Sequence, residues 1–241
     1  MTVVLEATGL KKSFGGVQVI DDLSILLNDG EALGIVGPNG AGKTTFFNLV
    51  TGVYKPDDGR VSFLGNDITH LPRQNRCRAG LGRTFQIPKP FGEMSVFENV
   101  LVCAAYGRAM SERSSYERCV EVLEQTGLVD RANRQAGALP LLDRKRLELA
   151  RALAGDPKVL LLDEIAGGLT EGEVDDLIDA IKVLRAGGIS IIWIEHIVHA
   201  LLAVVDRICA ISFGAKLCEG DPREVMNSAE VQACYMGGTP A

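Results

Sequence analysis

The run Gly37-Pro38-Asn39-Gly40-Ala41-Gly42-Lys43-Thr44-Thr45 constrains the fold of this chain more than any other feature. It carries the spacing Gly-x-x-x-x-Gly-Lys-Thr, follows a short apolar run at 31–36 and precedes a helical pattern that stops at Gly52. A buried strand, a tight glycine loop and a helix are therefore expected in that order. Glycine lets main-chain N–H groups turn inward and approach phosphate oxygens that a Cβ would hold off. The start of the helix adds the positive end of its dipole. Lys43 supplies a point charge for β- and γ-phosphates, and the Thr44 hydroxyl can ligate Mg²⁺. An accidental glycine-rich turn is the competing reading, and the strand–loop–helix setting counts against it.

Two further stretches place chemistry at the same kind of sheet edge. The apolar run at 159–162 ends in Asp163-Glu164, and carboxylates there leave the C-terminal end of a strand, where α/β sheets gather their ligands. Asp163 can hold Mg²⁺ directly or through water, while Glu164 can orient and deprotonate an attacking water near a γ-phosphate. Without the glycine loop, the pair would read as a solvated strand end. His196 follows the β-branched run at 189–194 and could donate to a γ-phosphate oxygen; a lone exposed histidine is the alternative. The order and spacing in Glu195-His196-Ile197-Val198-His199 do not suit a zinc helix, and His199 reads as a surface residue.

Between these stretches the pattern turns helical. Ser95 and Glu98 have capping-box spacing, and Ser114 and Glu117 repeat it ahead of a helix over 118–126 ended by Gly127. A third helix is expected over 141–154, stopped by Gly155 and Pro157. Thr170 and Glu173 then cap a helix ending at Gly187-Gly188, a strand follows at 189–194, and a short helix over 197–205. The remainder reads as strand, turn, strand and two short helices, the first opened by Asp221-Pro222. Strands alternating with helices imply an α/β fold with a largely parallel sheet. The helical block, residues 89–155, is expected to be a subdomain inserted into a core formed by 1–88 and 156–241.

Composition removes other classes. With 25 Lys and Arg against 31 Asp and Glu, the net charge of −6 argues against a nucleic-acid binder. No apolar run approaches the roughly 18 residues needed to cross a bilayer. The start Met1-Thr2-Val3-Val4 lacks the basic flank and apolar stretch of a signal peptide. Cys77, Cys103, Cys119, Cys209, Cys218 and Cys234 form no C-x-x-C pair, so they are expected as free thiols in a reducing compartment, without metal. Arg73, Arg76, Arg78 and Arg83 are expected to form a solvated face; contact with a membrane subunit or acidic headgroups is the sharper alternative.

Taken in order, these elements resemble the ATP-binding subunits of ABC transporters over nearly the whole chain. The resemblance rests on residues 37–45, on Gln86 in Arg83-Thr84-Phe85-Gln86, on the run ending Asp163-Glu164, and on His196 in Trp193-Ile194-Glu195-His196. Phe14, in Lys12-Ser13-Phe14-Gly15-Gly16, sits where that family stacks an aromatic on the adenine; composition alone would make it a core residue. The segments Arg83-Thr84-Phe85-Gln86, Ala132-Asn133-Arg134-Gln135-Ala136 and Glu219-Gly220-Asp221-Pro222, with Val231 and Tyr235-Met236-Gly237, are similar to the branched-chain amino acid importer type.

That resemblance implies a P-loop NTPase (ABC ATPase) core with a mixed sheet, an N-terminal antiparallel β part and an inserted helical subdomain. It implies ATP and Mg²⁺ as cofactors. Nucleotide contacts would come from Phe14, Gly37, Pro38, Asn39, Gly40, Ala41, Gly42, Lys43, Thr44, Thr45 and Gln86, metal contacts from Thr44, Gln86 and Asp163, and catalysis from Glu164 and His196. The implied partners are integral membrane permease subunits, whose short helix the helical subdomain would receive, and a second ATP-binding subunit, with a substrate-binding protein acting indirectly. Two such subunits would sandwich two ATP molecules, peripheral to the cytoplasmic side of the inner membrane, and closure and hydrolysis would drive alternating access.

One departure from the family pattern matters. Where the family has Leu-Ser-Gly-Gly-Gln before a basic helix, this chain has Leu139-Pro140-Leu141-Leu142-Asp143. Pro140 has neither a hydroxyl nor a main-chain N–H, leucine cannot match glycine in close approach to a phosphate, and Asp143 places a carboxylate near another subunit's ATP. Ile165 also replaces the usual proline after the Glu, and the next loop reads Ala166-Gly167-Gly168-Leu169-Thr170. A heterodimer with an intact second signature is therefore expected over a homodimer with two altered ones. A regulatory subunit that gates transport, and the ATPase of a lipid or lipopolysaccharide exporter, are the alternative functions.

Overall fold

The structure, a computed structural model, describes residues 2–107 and 111–235. Met236 and Gly237, part of the C-terminal similarity, lie outside the described residues. In chain order the elements are β1 (Val3–Phe14), β2 (Val17–Asn28), β3 (Ala32–Val36), α1 (Lys43–Val50), β4 (Asp58–Phe63), β5 (Asn66–Asp67), α2 (Arg73–Ala79), β6 (Leu81–Arg83), α3 (Val96–Gly107), α4 (Glu112–Gln125), α5 (Leu141–Ala154), β7 (Val159–Asp163), α6 (Glu171–Ala186), β8 (Ser190–Ile194), α7 (Val198–Val204), β9 (Arg207–Ser212), β10 (Ala215–Gly220), α8 (Pro222–Asn227) and α9 (Ala229–Tyr235). They fall into two compact units, the first built from the chain up to residue 73 and from 190 onward, the second from 74–189.

The first unit contains an antiparallel sheet in the order β2-β1-β4-β5. It also contains a mixed arrangement in which β3 lies parallel to both β8 and β9, and β10 runs antiparallel to β9. Every residue of β3 and β8 is buried, which is why both read as unbroken apolar runs and not as alternation. The entry to β3 is fixed electrostatically. Arg207, opening β9, donates to Glu31 at 2.8 Å and to the Leu26 carbonyl at 2.7 Å. Burial pushes the Glu31 carboxyl upward, but the hydrogen bonds from Arg207 and Asn28 outweigh it and hold the group below its ordinary 4.5.

The second unit pairs β6 with β7 in parallel and packs α3, α4 and α5 against one another, with Val100, Val122 and Leu153 fully buried. Ser95 and Glu98 form the expected reciprocal box, with the Ser95 N–H donating to Glu98 at 2.7 Å and the Glu98 N–H to the Ser95 hydroxyl at 3.1 Å. At α6 the Thr170 N–H donates to Glu173 at 2.9 Å. The next helix start differs from its sequence reading. α4 begins at Glu112, capped by Ser111, whose hydroxyl accepts the Ser114 N–H at 3.2 Å. Ser114 is thus inside the helix, and Glu117 pairs with Arg113 one turn back.

The basic cluster also departs from a solvated face. Arg76 is 1% exposed, and Arg83 is buried against a carboxylate. Among the described residues no helix is long and apolar enough to cross a membrane.

Candidate functional site

In the first unit, residues 37–42 join β3 to α1 with left-handed backbone at Gly37, Gly40 and Gly42. Glycine is also required by space at two of these positions. A Cβ at Gly37 would lie 2.1 Å from the Ile211 carbonyl oxygen, and one at Gly42 would lie 2.8 Å from that of Val19. The loop is therefore pressed against β2 and β9, and its shape is set from behind. No side chain caps α1, whose N-cap is Gly42, so its first amides keep the donor character that an anion needs.

Lys43 is buried, and its ammonium donates to the Gly37 carbonyl at 2.7 Å and the Pro38 carbonyl at 3.0 Å. The charge is folded over the mouth of its own loop. Thr44 is exposed at the first turn of α1. Two contacts that sequence reasoning missed hold the loop in place. The Gly214 N–H, in the β9–β10 turn, donates to the Ala41 carbonyl at 3.0 Å, and the Gly37 N–H donates to the Tyr235 hydroxyl at 2.9 Å.

Phe14, which composition would place in a core, is 42% exposed. Its ring meets Tyr54 edge-on at 5.1 Å between centroids, with the Lys12 ammonium 5.5 Å from its centre. An aromatic held this way at the surface is suited to stacking. His196 is exposed just beyond β8. The buried Glu195 carboxylate turns back to accept the His196 N–H at 2.8 Å, which fixes the turn carrying the imidazole.

In the second unit, Asp163 ends β7 and is 4% exposed. Arg83 donates to its Oδ2 at 2.9 Å, and its N–H donates to the Thr84 hydroxyl at 3.2 Å. A carboxylate offers about four acceptor positions, so the guanidinium does not exhaust its capacity for a cation. Glu164 adopts left-handed backbone at φ 47°, a conformation that costs a non-glycine residue on the order of 1–2 kcal/mol. Gln86 Nε2 donates to Glu164 Oε2, which turns the Gln86 amide oxygen away from that contact. Gln86 and Glu164 thus form a bonded pair, and Asp163, held by Arg83 and Thr84, directly precedes Glu164 in the chain.

α5 begins at a proline cap with no side-chain hydrogen bond. Leu141 is exposed, and Asp143 pairs with Arg131 at 3.5 Å. Beside the C-terminal half of α5 lies a groove of about 390 Å³, lined among others by Arg78, Phe85, Val102, Tyr106, Glu148 and Arg151.

The model of the family described as ABC transporter matches residues 20–167. The chain is 38% identical to the high-affinity branched-chain amino acid transport ATP-binding protein LivG of Salmonella typhimurium, over 97% of this chain and 98% of that one. It is 34% identical to the lipopolysaccharide export system ATP-binding protein LptB of Haemophilus influenzae, over 97% of each. Among solved structures, an ATP-binding cassette of an ABC transporter in its ADP conformation superposes with a TM-score of 0.90 at 32% identity, covering 98% of this chain and all of the other.

Proposed function

Because the chain belongs to the ABC transporter family, we propose that it is the ATP-binding and ATP-hydrolysing subunit of an importer for branched-chain amino acids or related small polar solutes. The observation that carries this reading is the phosphate loop, with its three left-handed glycines and Lys43 folded over its mouth. The main-chain N–H groups of 40–45 and the Lys43 ammonium bind the β- and γ-phosphates. Phe14 stacks on the adenine. Thr44, Gln86 and Asp163 would hold Mg²⁺, since hydroxyl, amide and carboxylate oxygens are the hard donors it prefers. When bound, the ion neutralises charge on the phosphoryl oxygens.

Glu164 orients the attacking water and takes its proton, with Gln86 restraining the carboxylate. His196 donates to a γ-phosphate oxygen from the turn that Glu195 braces. The chain would sit peripherally at the cytoplasmic face of the inner membrane, attached to permease subunits through the groove beside α5.

The start of α5 supports a heterodimer. Pro140 cannot offer a cap, and the Asp143 carboxylate occupies the first turn with Arg131 as its counter-ion, so two copies of this chain would contribute two such ends. The similarity to LptB favours lipopolysaccharide export as the second reading. Uptake of labelled leucine by vesicles containing the chain with its co-purified membrane subunits tests the import reading. ATP-dependent uptake abolished by Glu164→Gln is expected. ATP hydrolysis without uptake, stimulated instead by lipopolysaccharide, would transfer the chain to the export class.

A further inference from the structure

The loop that carries Gln86 has no regular secondary structure over residues 84–90. Its main-chain groups must find partners elsewhere, and one face of α5 supplies them. Lys145, Glu148 and Arg151 are spaced i, i+3 and i+6, so they share a helix face. Lys145 is 3% exposed and donates to the Gln86 carbonyl at 2.6 Å. Arg151 donates to the Lys89 carbonyl at 2.9 Å. Glu148 is 4% exposed and pairs with Arg151 at 2.9 Å, so its carboxylate holds the guanidinium that reaches the loop.

The chemistry matches group by group. The two cationic side chains have only donors and take carbonyls, whereas the carboxylate has only acceptors and takes the Arg151 guanidinium. Lys145 also reaches the Glu164 carbonyl at 3.4 Å. A single ammonium therefore spans the two residues whose side chains meet as Gln86 and Glu164.

We propose that Lys145, Glu148 and Arg151 are positioning residues: this stripe of α5 clamps the main chain of 86–89 and, through Lys145, sets Gln86 against Glu164. The inference rests on the reading of those two residues as groups of the ATP site. Glu148, Arg151 and Phe85 also line the groove beside α5, so a segment seated there would press on the same stripe that holds Gln86. Burial first of all pushes the Glu148 carboxyl upward, and Arg151 opposes that shift.

The test uses the full chain in two settings. With its co-purified membrane subunits, Lys145→Met should lower kcat for Mg-ATP by tenfold or more while KM stays within threefold, because Lys43 and the loop at 37–45 are untouched. Glu148→Met, which leaves Lys145 in place, should shift kcat in the same direction. In the chain alone and without nucleotide, hydrogen exchange should show the segment 86–89 of Glu148→Met exchanging tenfold faster, with β7 unchanged. Unchanged exchange across 86–89, or a kcat within twofold of wild type in Lys145→Met, overturns the clamp. So does a fall in kcat matched by an equal rise in KM. Glu164→Gln run alongside judges the ATP-site reading separately, since the exchange result does not depend on hydrolysis.

Discussion

Tyr235, the last residue of α9, accepts the N–H of Gly37 across 2.9 Å, so the C-terminal helix is tied to the first glycine of the phosphate loop. The residue is 46% exposed, yet burial around it, with the Gly37 hydrogen bond opposing, raises its pKa above the usual 10.0. α9 is anchored by the buried Val231. Tyr235→Phe keeps the ring and removes only this hydrogen bond, whose net worth is about 0.5–1.5 kcal/mol. Mg-ATP affinity should fall by about 2- to 12-fold in equilibrium titration of the purified chain. An unchanged Kd would show that the loop holds its shape without α9.

The Arg83–Asp163 pair is a second buried tie, with side chains 7% and 5% exposed. Removing one member of a buried pair leaves the other charge stranded and typically costs about 3–5 kcal/mol. Arg83→Met should lower the thermal unfolding midpoint by many degrees, whereas Arg73→Met, an exposed change at the start of α2, should leave it near wild type. Equal midpoints for the two variants would show that Asp163 finds another counter-ion.

Acid should loosen the first unit through Glu31. Its folded pKa lies below the ordinary 4.5, so the Arg207 interaction contributes stability that is fully present above about 4.5. That contribution is lost as pH falls through the lower folded value. Between pH 6 and pH 3, Glu31→Gln should therefore show a flatter loss of unfolding free energy than wild type. Parallel curves would place the acid sensitivity elsewhere.

Restoring a phosphate-facing end to α5 tests the heterodimer. The combined change Pro140→Ser, Leu141→Gly, Leu142→Gly and Asp143→Gln supplies a capping hydroxyl and removes a carboxylate from the first turn. The chain alone should then hydrolyse ATP at least tenfold faster than wild type. If the wild-type chain alone already matches the rate of the complex, the altered signature is no handicap and a homodimer suffices.

What was legible in the sequence was local. The phosphate loop, the end of β7 at Asp163-Glu164, the Ser95–Glu98 box and the bounds of α5 all follow from neighbours within a few positions. The start of α4 was missed because Ser111 and Ser114 offer the same hydroxyl, and only the chain path shows which one lies outside the helix. Arg76 and Arg83 read as a charged surface because a sequence counts charges without showing what covers them. Lys145 carried a faint signal, a basic residue sharing a helix face with Glu148 and Arg151, but its partners lie far along the chain.

The sequence by itself therefore determined the chemistry, because the glycines, Lys43 and the paired carboxylates need only adjacent residues to form a loop and a strand end. The tertiary structure decided how those groups are held. Tyr235 reaches Gly37 over 198 positions, Arg83 reaches Asp163 over 80, and Lys145 reaches Gln86 over 59. Such contacts exist only after the chain has closed long loops, and the entropy of that closure is met by burial of the whole core, not by any local pattern.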